Sequence, residues 1–572
     1  MKRIFASIFL VLALSLALAS CMQGESEPVV GVNIDGYLTV NGKPTEYKVD
    51  TNTEEPKDPV ISVNGDNYLT IDGVVTEYKV DTDDVVIVNN EGFVVVNGVT
   101  TEYKVDTADV IKLDNDGYIV VNGEKTKYRI GTEGIIYATS LDGTCAEVVA
   151  YTGSAKEVVI LDTYNDLPVR SIKDEAFKNS NITSVKIPDT VTSIGYNAFG
   201  GCANLESIVI PDSVLSIGKL AFEGCTSLTS AEIGSGVVSM GDSAFSHCTN
   251  LESVNIPDGI TSIGDSVFSY CSNLQSITIP NTVTSIGQNA FRDCRSITSI
   301  IIPDSVTAIR AEAFRNCYNL RSITIPGSVT SVGNDAFYSC SGLTDVFITD
   351  LAAWCATSFE GSGATPMLYA DFLYLDGALV SELVIPDGVT TIGNYAFYDY
   401  DKLTSVTISD SVQIIGDYAF NNCSSITDIS IGNGVKTVGY HAFSDCTKLA
   451  SVVISDSVET ISSYAFYNCT ILTSVTIGNN VKAIGMYAFN NCDGIERITI
   501  PQSVTSIEEY AFADCNSLSS VVFEITEGWR VRHGDTINTV SAENLEDVET
   551  AANYFLLPSY NGGYCNYYWY RV

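Results

Sequence analysis

Residues 276–294 read SITIPNTVTSIGQNAFRDC, and nearly the same phrase returns as SIVIPDSVLSIGKLAFEGC at 207, SVVISDSVETISSYAFYNC at 451 and RITIPQSVTSIEEYAFADC at 497. Ile277 and Ile279 alternate with Ser276 and Thr278, the period-two pattern of a strand buried on one side. Pro280 ends that strand because it has no amide proton to give a ladder. A second extended piece, Val283 to Ile286, runs into a glycine turn at Gly287, and the Ala-Phe-Arg-Asp-Cys stretch that follows reads as a single tight turn of helix. The unit from Cys271 to Cys294 has few apolar side chains to bury: Leu274, Ile277, Ile279, Val283, Ile286, Ala290 and Phe291. Such a unit does not fold alone, whereas stacked neighbours share one continuous core, which makes a solenoid.

The Ala-Phe pair marks the period. It recurs from Ala176 to Ala336, with Val267 in place of alanine once, and after a gap from Ala396 to Ala511, fourteen occurrences in all. Every step within an array is 23 residues except the first.

The unit C-x-x-L-x-S-I-x-I-P-x-x-V-x-x-I-G-x-x-A-F resembles the BspA-type leucine-rich repeat of bacterial surface proteins, over roughly residues 145–523. The lead-in YTGSAKEVVILDTYNDLPVRSI and the interruption DLAAWCATSFEGSGATPMLYADFLYLDGALVSELVIPDGV also resemble segments common in that family. The resemblance implies a curved right-handed solenoid with a parallel sheet on one face, displayed on a cell surface and used in adhesion to host proteins or other cells.

The first residues bear on the compartment. Lys2 and Arg3, the apolar run from Ile4 to Leu18, and Leu18-Ala19-Ser20-Cys21 form a secretory signal ending in a lipobox, so the expected mature chain is exported and held to a membrane by lipid on Cys21. An ordinary secreted signal with a chance cysteine is the alternative. With 69 acidic and 30 basic residues the net charge is −39, or −41 without Lys2 and Arg3. That charge repels phosphate backbones and anionic headgroups, so nucleic acid is no expected partner and the membrane is reached through the lipid only. Hydrophobic residues make up 45% of the chain, enough for a large core, so the acidity belongs to the surface and serves solubility. Cation capture is the rival reading; LDNDGY at 113–118 starts like a calcium loop, but no glutamate closes it.

Twelve cysteines occupy one slot of the repeat, Cys202 to Cys340 in the first array and Cys423 to Cys515 in the second, with Ser180 and Tyr400 in that slot elsewhere. A disulfide framework is the usual reading for an exported chain. Slots about 5 Å apart, an odd count in the first array, and serine and tyrosine copies favour reduced thiols packed inward. No coil offers the close ligand pairs that zinc needs, and no metal or cofactor is expected.

Ahead of the solenoid lie four copies of another phrase, with Asn41-Gly42, Asp72-Gly73, Asn97-Gly98 and Asn122-Gly123 between β-rich runs, a strong hairpin signal. They read as a stalk, or alternatively as binding modules. At the other end Leu545, Val548, Ala551, Ala552, Phe555 and Leu556 follow helical spacing, and GGYCNYYWYRV is aromatic. A cap over the last coil is one reading of that cluster and a sugar-binding platform the other. The expected organisation is thus a signal at 1–20, linker 21–29, hairpin repeats 30–135, solenoid N-cap 136–170, first array 171–349, interruption 350–385, second array 386–523 and C-terminal cap 524–572.

No catalytic set stands out. His247, His441 and His533 are the only histidines, and two of them sit at positions that vary between repeats. The expected function is therefore that of a non-enzymatic adhesin or interaction scaffold for host matrix or other cell-surface proteins, with glycan capture as the alternative. Two surfaces are candidates. On the outward sheet face, with little charge, lie Thr278, Ile301, Thr324 and Phe347. Just before the Ala-Phe pair of the second array stand Tyr395, Tyr418, His441, Tyr464, Tyr487 and Tyr510, where the first array has the indifferent set Asn197, Leu220, Ser243, Ser266, Asn289, Glu312 and Asp335. One ring per coil makes a line at about 5 Å intervals, suited to protein hot spots or to stacking on sugars, or merely covering the turn of the next coil.

Overall fold

The computed structural model describes residues 131–557 and 563–572 in full and, within residues 30–129, the backbone of twelve strands. The signal segment and Cys21 lie outside the described residues. Two compact units divide the chain: one holds residues to Ala146 with Tyr151–Val169 and Val185–Pro188, the other Glu147–Ala150, Arg170–Ser184 and Asp189–Val572.

In the first unit each of the four modules is a three-stranded antiparallel sheet, not a lone hairpin. Val30–Val32 pairs with Tyr37–Val40, which pairs with Lys43–Lys48. Val40 faces Lys43 and Ile71 faces Val74, so two residues join the strands, the connection that Asn-Gly and Asp-Gly favour. The added strands, such as Ile61–Val63 and Val86–Val88, are three residues long, too short to show a period in sequence.

The second unit is mainly β, a solenoid whose coils are tied by parallel pairing in exact repeat register. Ser207–Ile210 pairs with Ser230–Ile233, Ser207 against Ser230 and Ile210 against Ile233. Along Ser207–Ile210 exposed and buried residues alternate. A second column carries two residues per coil, as in Ser193–Ile194 with Ser216–Ile217. A third connection runs through the Ala-Phe turn, where Phe199 N donates to Ala221 O and Phe222 N to Ala244 O, both 2.8 Å. The tight turn expected there is built from i→i+3 bonds, for example Glu223 N to Leu220 O at 3.0 Å, with left-handed residues at Leu220 (φ 60°) and Gly224 (φ 70°).

Between these columns the phenylalanines stack from Phe177 to Phe337 and again from Phe397 to Phe512. The polar residues of the repeat answer backbone needs. Ser213, Ser305 and Ser457 hydroxyls donate to Val191, Val283 and Val435 carbonyls of the preceding coil, at 2.7, 2.6 and 2.7 Å. Beside them Asp212 and Asp456, both exposed, accept from Ser235 N (2.6 Å) and Asn479 N (2.7 Å) of the following coil. A buried carbonyl left without a donor costs about 1–3 kcal/mol, so the serine of Pro-Asp-Ser is structural.

Each repeat thiol donates to a phenylalanine carbonyl of an earlier coil: Cys271 Sγ to Phe245 O, 3.1 Å, and Cys469 Sγ to Phe443 O, 3.3 Å. Ser180 Oγ lies 3.3 Å from Cys202 Sγ in the vacated slot. Burial pushes the Cys202 thiol up to about 12 and the Cys271 and Cys446 thiols well above their usual range. A buried protonated thiol is a poor nucleophile. The intact protein at mildly alkaline pH is expected to take up iodoacetamide at these cysteines only after unfolding. Peptides cross-linked between Cys271 and Cys294 in a non-reducing digest would contradict that.

The first strand column is open between Ser474–Thr476 and Arg497–Ile500, and one coil of the first array leaves it on both sides. Residues 276–279, expected as a strand, form none, and no backbone hydrogen bond joins them to the coil on either side. Two neighbours account for this. The Asn255 amide bonds both Ile233 N and Ile233 O at 2.7 Å, taking the place of a peptide in the ladder. Val267, larger than the usual alanine, is fully buried, and the rings beside it spread to 5.9 Å (Phe245–Phe268) and 5.6 Å (Phe268–Phe291), against 4.9–5.4 Å in the other phenylalanine pairs of the two columns.

The interruption is an enlarged coil. Asp350 caps a helix at Leu351–Ala356, Ser358–Phe359 extends one strand column and Phe372–Leu375 the other, before turning back on Ala378–Leu379. Trp354 Nε1 donates to Ala396 O (3.0 Å), and Tyr400, in the cysteine slot, donates its hydroxyl to Val380 O (2.6 Å). At the far end Tyr568–Arg571 pairs antiparallel with Ser506–Ile507 and with Trp529–His533. The helical stretch expected there is two helices, Ala542–Glu546 and Val548–Leu556, the second capped by Asp547. Phe555 stacks on Phe512 at 5.0 Å, and Trp529 and Trp569 are each 1% exposed, so these indoles close the core and offer no platform to a sugar.

Candidate functional site

The six residues before the Ala-Phe pairs of the second array form one unbroken stack. Tyr395–Tyr418, Tyr418–His441, His441–Tyr464, Tyr464–Tyr487 and Tyr487–Tyr510 have centroids 4.9, 4.9, 4.5, 4.8 and 4.9 Å apart and planes within 21°. All six are half-buried. Three further rings meet the stack edge-on or tilted and widen it to nine: Tyr398 against Tyr395 (5.6 Å), Tyr440 against His441 (4.4 Å) and Tyr467 against Tyr464 (5.5 Å). These three stood out less in sequence because other coils fill their slots differently: Tyr398 and Tyr467 follow the Ala-Phe pair directly, and Tyr440 stands two residues before it.

The backbone under the stack is left-handed, with φ between 53° and 59° at all six positions. A bulky residue there costs about 1 kcal/mol relative to the right-handed region. The first array makes the same turn at φ 52–60° with Asn197, Leu220, Ser243, Ser266, Asn289, Glu312 and Asp335. The turn therefore does not require an aromatic ring.

Burial sets the electrostatics. It pushes the Tyr395, Tyr464 and Tyr487 phenols up, and the Tyr418 phenol, beside Tyr440, to about 12. Burial lowers the His441 pKa against the opposing pull of Asp445, so the imidazole is neutral at neutral pH, and its Nδ1 has no hydrogen-bond partner. For the four interior rings both faces are covered by neighbours. Edges and hydroxyls are what remains for a ligand, whereas sugars pack on open faces.

The sheet-face candidates are only partly brought together. Ile301, Thr324 and Phe347 stand in one register column, which continues to Tyr374, stacked on Phe347 at 5.0 Å. Ile301 is 71% exposed, and Thr324 and Phe347 are half-buried. Thr278 is exposed but belongs to the coil that has left the ladder. The histidines serve separate local contacts: His247 stacks on Tyr270 at 4.5 Å and His533 Nδ1 meets Asn566 O at 3.1 Å. Among the described residues no group of three or more His, Cys, Asp or Glu could hold a metal ion.

The repeat signature described as the BspA type Leucine rich repeat region matches residues 170–295, 261–364, 372–471 and 436–528. A leucine-rich repeat protein of Bacteroides ovatus is similar in structure, with 29% identity, a TM-score of 0.51, and coverage of 66% of this chain and 95% of the other. A leucine rich cell surface protein of Faecalibacterium prausnitzii shares 27% identity over 70% of this chain and 96% of its own, with a TM-score of 0.37. No curated protein matches the chain. The matched repeats cover more than half of the sequence, and the chain belongs to the BspA-type leucine-rich repeat family.

Proposed function

We propose that this is a bacterial surface adhesin or interaction scaffold, lipid-anchored at Cys21 and raised on the N-terminal modules, that binds proteins of the host matrix or of neighbouring cells through the turn face of its second array. Membership of a family of leucine-rich repeat surface proteins, in general non-enzymatic, supports the scaffold role and the surface location. The observation that carries the choice of face is the nine-ring strip, whose stacked slot before the Ala-Phe pair the first array fills without aromatic residues. Tyrosine is enriched among residues that dominate protein interfaces. A glycan ligand is the weaker reading, because the interior ring faces are already occupied.

Replacing Tyr418, Tyr464 and Tyr487 together by serine interrupts all five stacked pairs. Serine already stands in this turn at Ser243 and Ser266, so the backbone is expected to persist. Binding of the soluble ectodomain to a panel of matrix proteins and to cells should be abolished, with the thermal melt staying near that of the parent. Intact attachment together with a large fall in stability would make the column structural and refute the assignment.

A further inference from the structure

We propose that the partner docked on the tyrosine strip is cationic, an arginine- or lysine-rich protein segment. This rests on the reading of the strip as a binding surface and adds the chemistry of its occupant.

The six turn segments that carry the strip, 393–400, 416–423, 439–446, 462–469, 485–492 and 508–515, hold the carboxylates of Asp399, Asp417, Asp445, Glu508, Glu509 and Asp514 and not one lysine or arginine. The matching turns of the first array are mixed in sign, and among the described residues all their carboxylates but Asp174 and Glu223 have an ion pair. Glu175 pairs with Lys178 (2.6 Å), Glu312 with Arg292 (2.7 Å), Asp335 with Arg315 (2.9 Å) and Asp293 with Arg295 (2.8 Å). Among the described residues none of the six carboxylates on the strip has an ion pair; the nearby pairs, Lys402–Asp401 and Lys482–Glu459, use other acids. Asp417 and Asp514 are exposed and the other four half-buried.

The strip's own hydrogen bonds leave this charge standing. Asp417 Oδ1 accepts from Tyr440 N (2.8 Å), Asp445 from Asn468 Nδ2 (2.7 Å) and Glu508 from Met486 N (2.9 Å), which orients the carboxylates without neutralising them. Asp399 is pushed above the usual carboxylate range, first by burial and further by the charge of Asp401, against a hydrogen bond from Asn422. His441, the only titratable base within the strip, is kept neutral by burial. An apolar ring surface edged by charge of one sign fits a partner of the other sign, and such complementarity acts on both association rate and specificity. Guanidinium and ammonium groups also supply the donors that carboxylates and phenol oxygens accept. An anionic partner would meet like charge at four of the six turns, all but 462–469 and 485–492.

The test uses the soluble ectodomain and two immobilised peptides, one alternating arginine and serine, the other glutamate and serine. The parent should bind the arginine peptide at low ionic strength, lose it at about 0.5 M salt, and ignore the glutamate peptide. Asp417→Asn, Asp445→Asn and Glu509→Gln combined keep a carbonyl acceptor at each position and should weaken binding by about tenfold or more. Asp212→Asn, Asp258→Asn and Asp304→Asn combined remove the same charge from exposed turns of the first array and should change it by less than about twofold. Equal weakening by both sets would mean attraction by net charge alone and would overturn the proposal. So would a Tyr418, Tyr464 and Tyr487 serine variant that loses cell attachment while the three strip carboxylates prove dispensable for it; the strip would then bind, but not a cation. If that serine variant keeps attachment, it is the underlying assignment of the strip that fails.

Discussion

Replacing Phe314 by alanine should lower the stability of the solenoid by about 3–5 kcal/mol. Its ring is fully buried and lies between Phe291 and Phe337, 5.4 Å from each, so truncation opens a cavity that touches three coils at once. A solenoid distributes stability over nearest-neighbour contacts, and an interior defect uncouples the coils on its two sides. The urea transition followed by circular dichroism should therefore broaden or split as well as move to lower denaturant. Phe177→Ala, at the end of the same column and stacked on Phe199 at 4.9 Å, should fray the end and leave the rest cooperative. A loss below about 1 kcal/mol for Phe314→Ala, within the ordinary run of substitutions, would show that the ring column is not what couples the coils.

Trp354→Ala should separate the two arrays. Both strand columns end within the interruption: one ladder stops at Ser358–Phe359, the other turns back at Ala378–Leu379, and new ladders start at Glu382–Val384 and Thr391–Ile392. Continuity across this point depends on the Trp354 Nε1 bond to Ala396 O, on Gly393 N to Cys355 O (2.6 Å) and on the Tyr400 hydroxyl. Trp354 is 2% exposed and packs on Phe359 at 5.1 Å. Removing the indole should cost about 3–5 kcal/mol and resolve two calorimetric transitions. Trp354→Phe keeps an aromatic ring but leaves the Ala396 carbonyl without its donor, a loss of about 1–3 kcal/mol with one transition retained. An unshifted single transition for the alanine variant would show that the arrays are coupled by other contacts.

The period of 23 residues carried most of the architecture, because each coil repeats the same exchange of hydrogen bonds and ring contacts with its neighbour. Ile208 and Ile210 alternate inward as their spacing predicts, and the column from Tyr395 to Tyr510 follows from the period alone. What escaped sequence reading was decided between coils. SITIP at 276 looks like its counterparts, yet it leaves the ladder because of Asn255 one coil earlier and the volume of Val267. Tyr398, Tyr440 and Tyr467 occupy slots that other coils of the second array fill with asparagine, serine, alanine, aspartate, glutamate or methionine, and only the ring geometry brings them into one strip. The interruption conceals a strand of each column, Ser358–Phe359 and Phe372–Leu375, because its longer loops and its helix break the phase on which the pattern depends.

The unpaired coil also has a mechanical meaning. Along the chain, residues 276–279 stand between the N-terminal end and the second array, so if the molecule is held and bound as proposed, tension would pass through this coil. Parallel strands under load separate first where the fewest backbone bonds cross. Here the turn and the second column still cross, Phe268 N to Ala290 O at 2.9 Å and Gly287 N to Ile263 O at 2.8 Å, while the first column does not. The first column is open again between Ser474–Thr476 and Arg497–Ile500, so each array holds a place where fewer backbone bonds would resist a load along the solenoid.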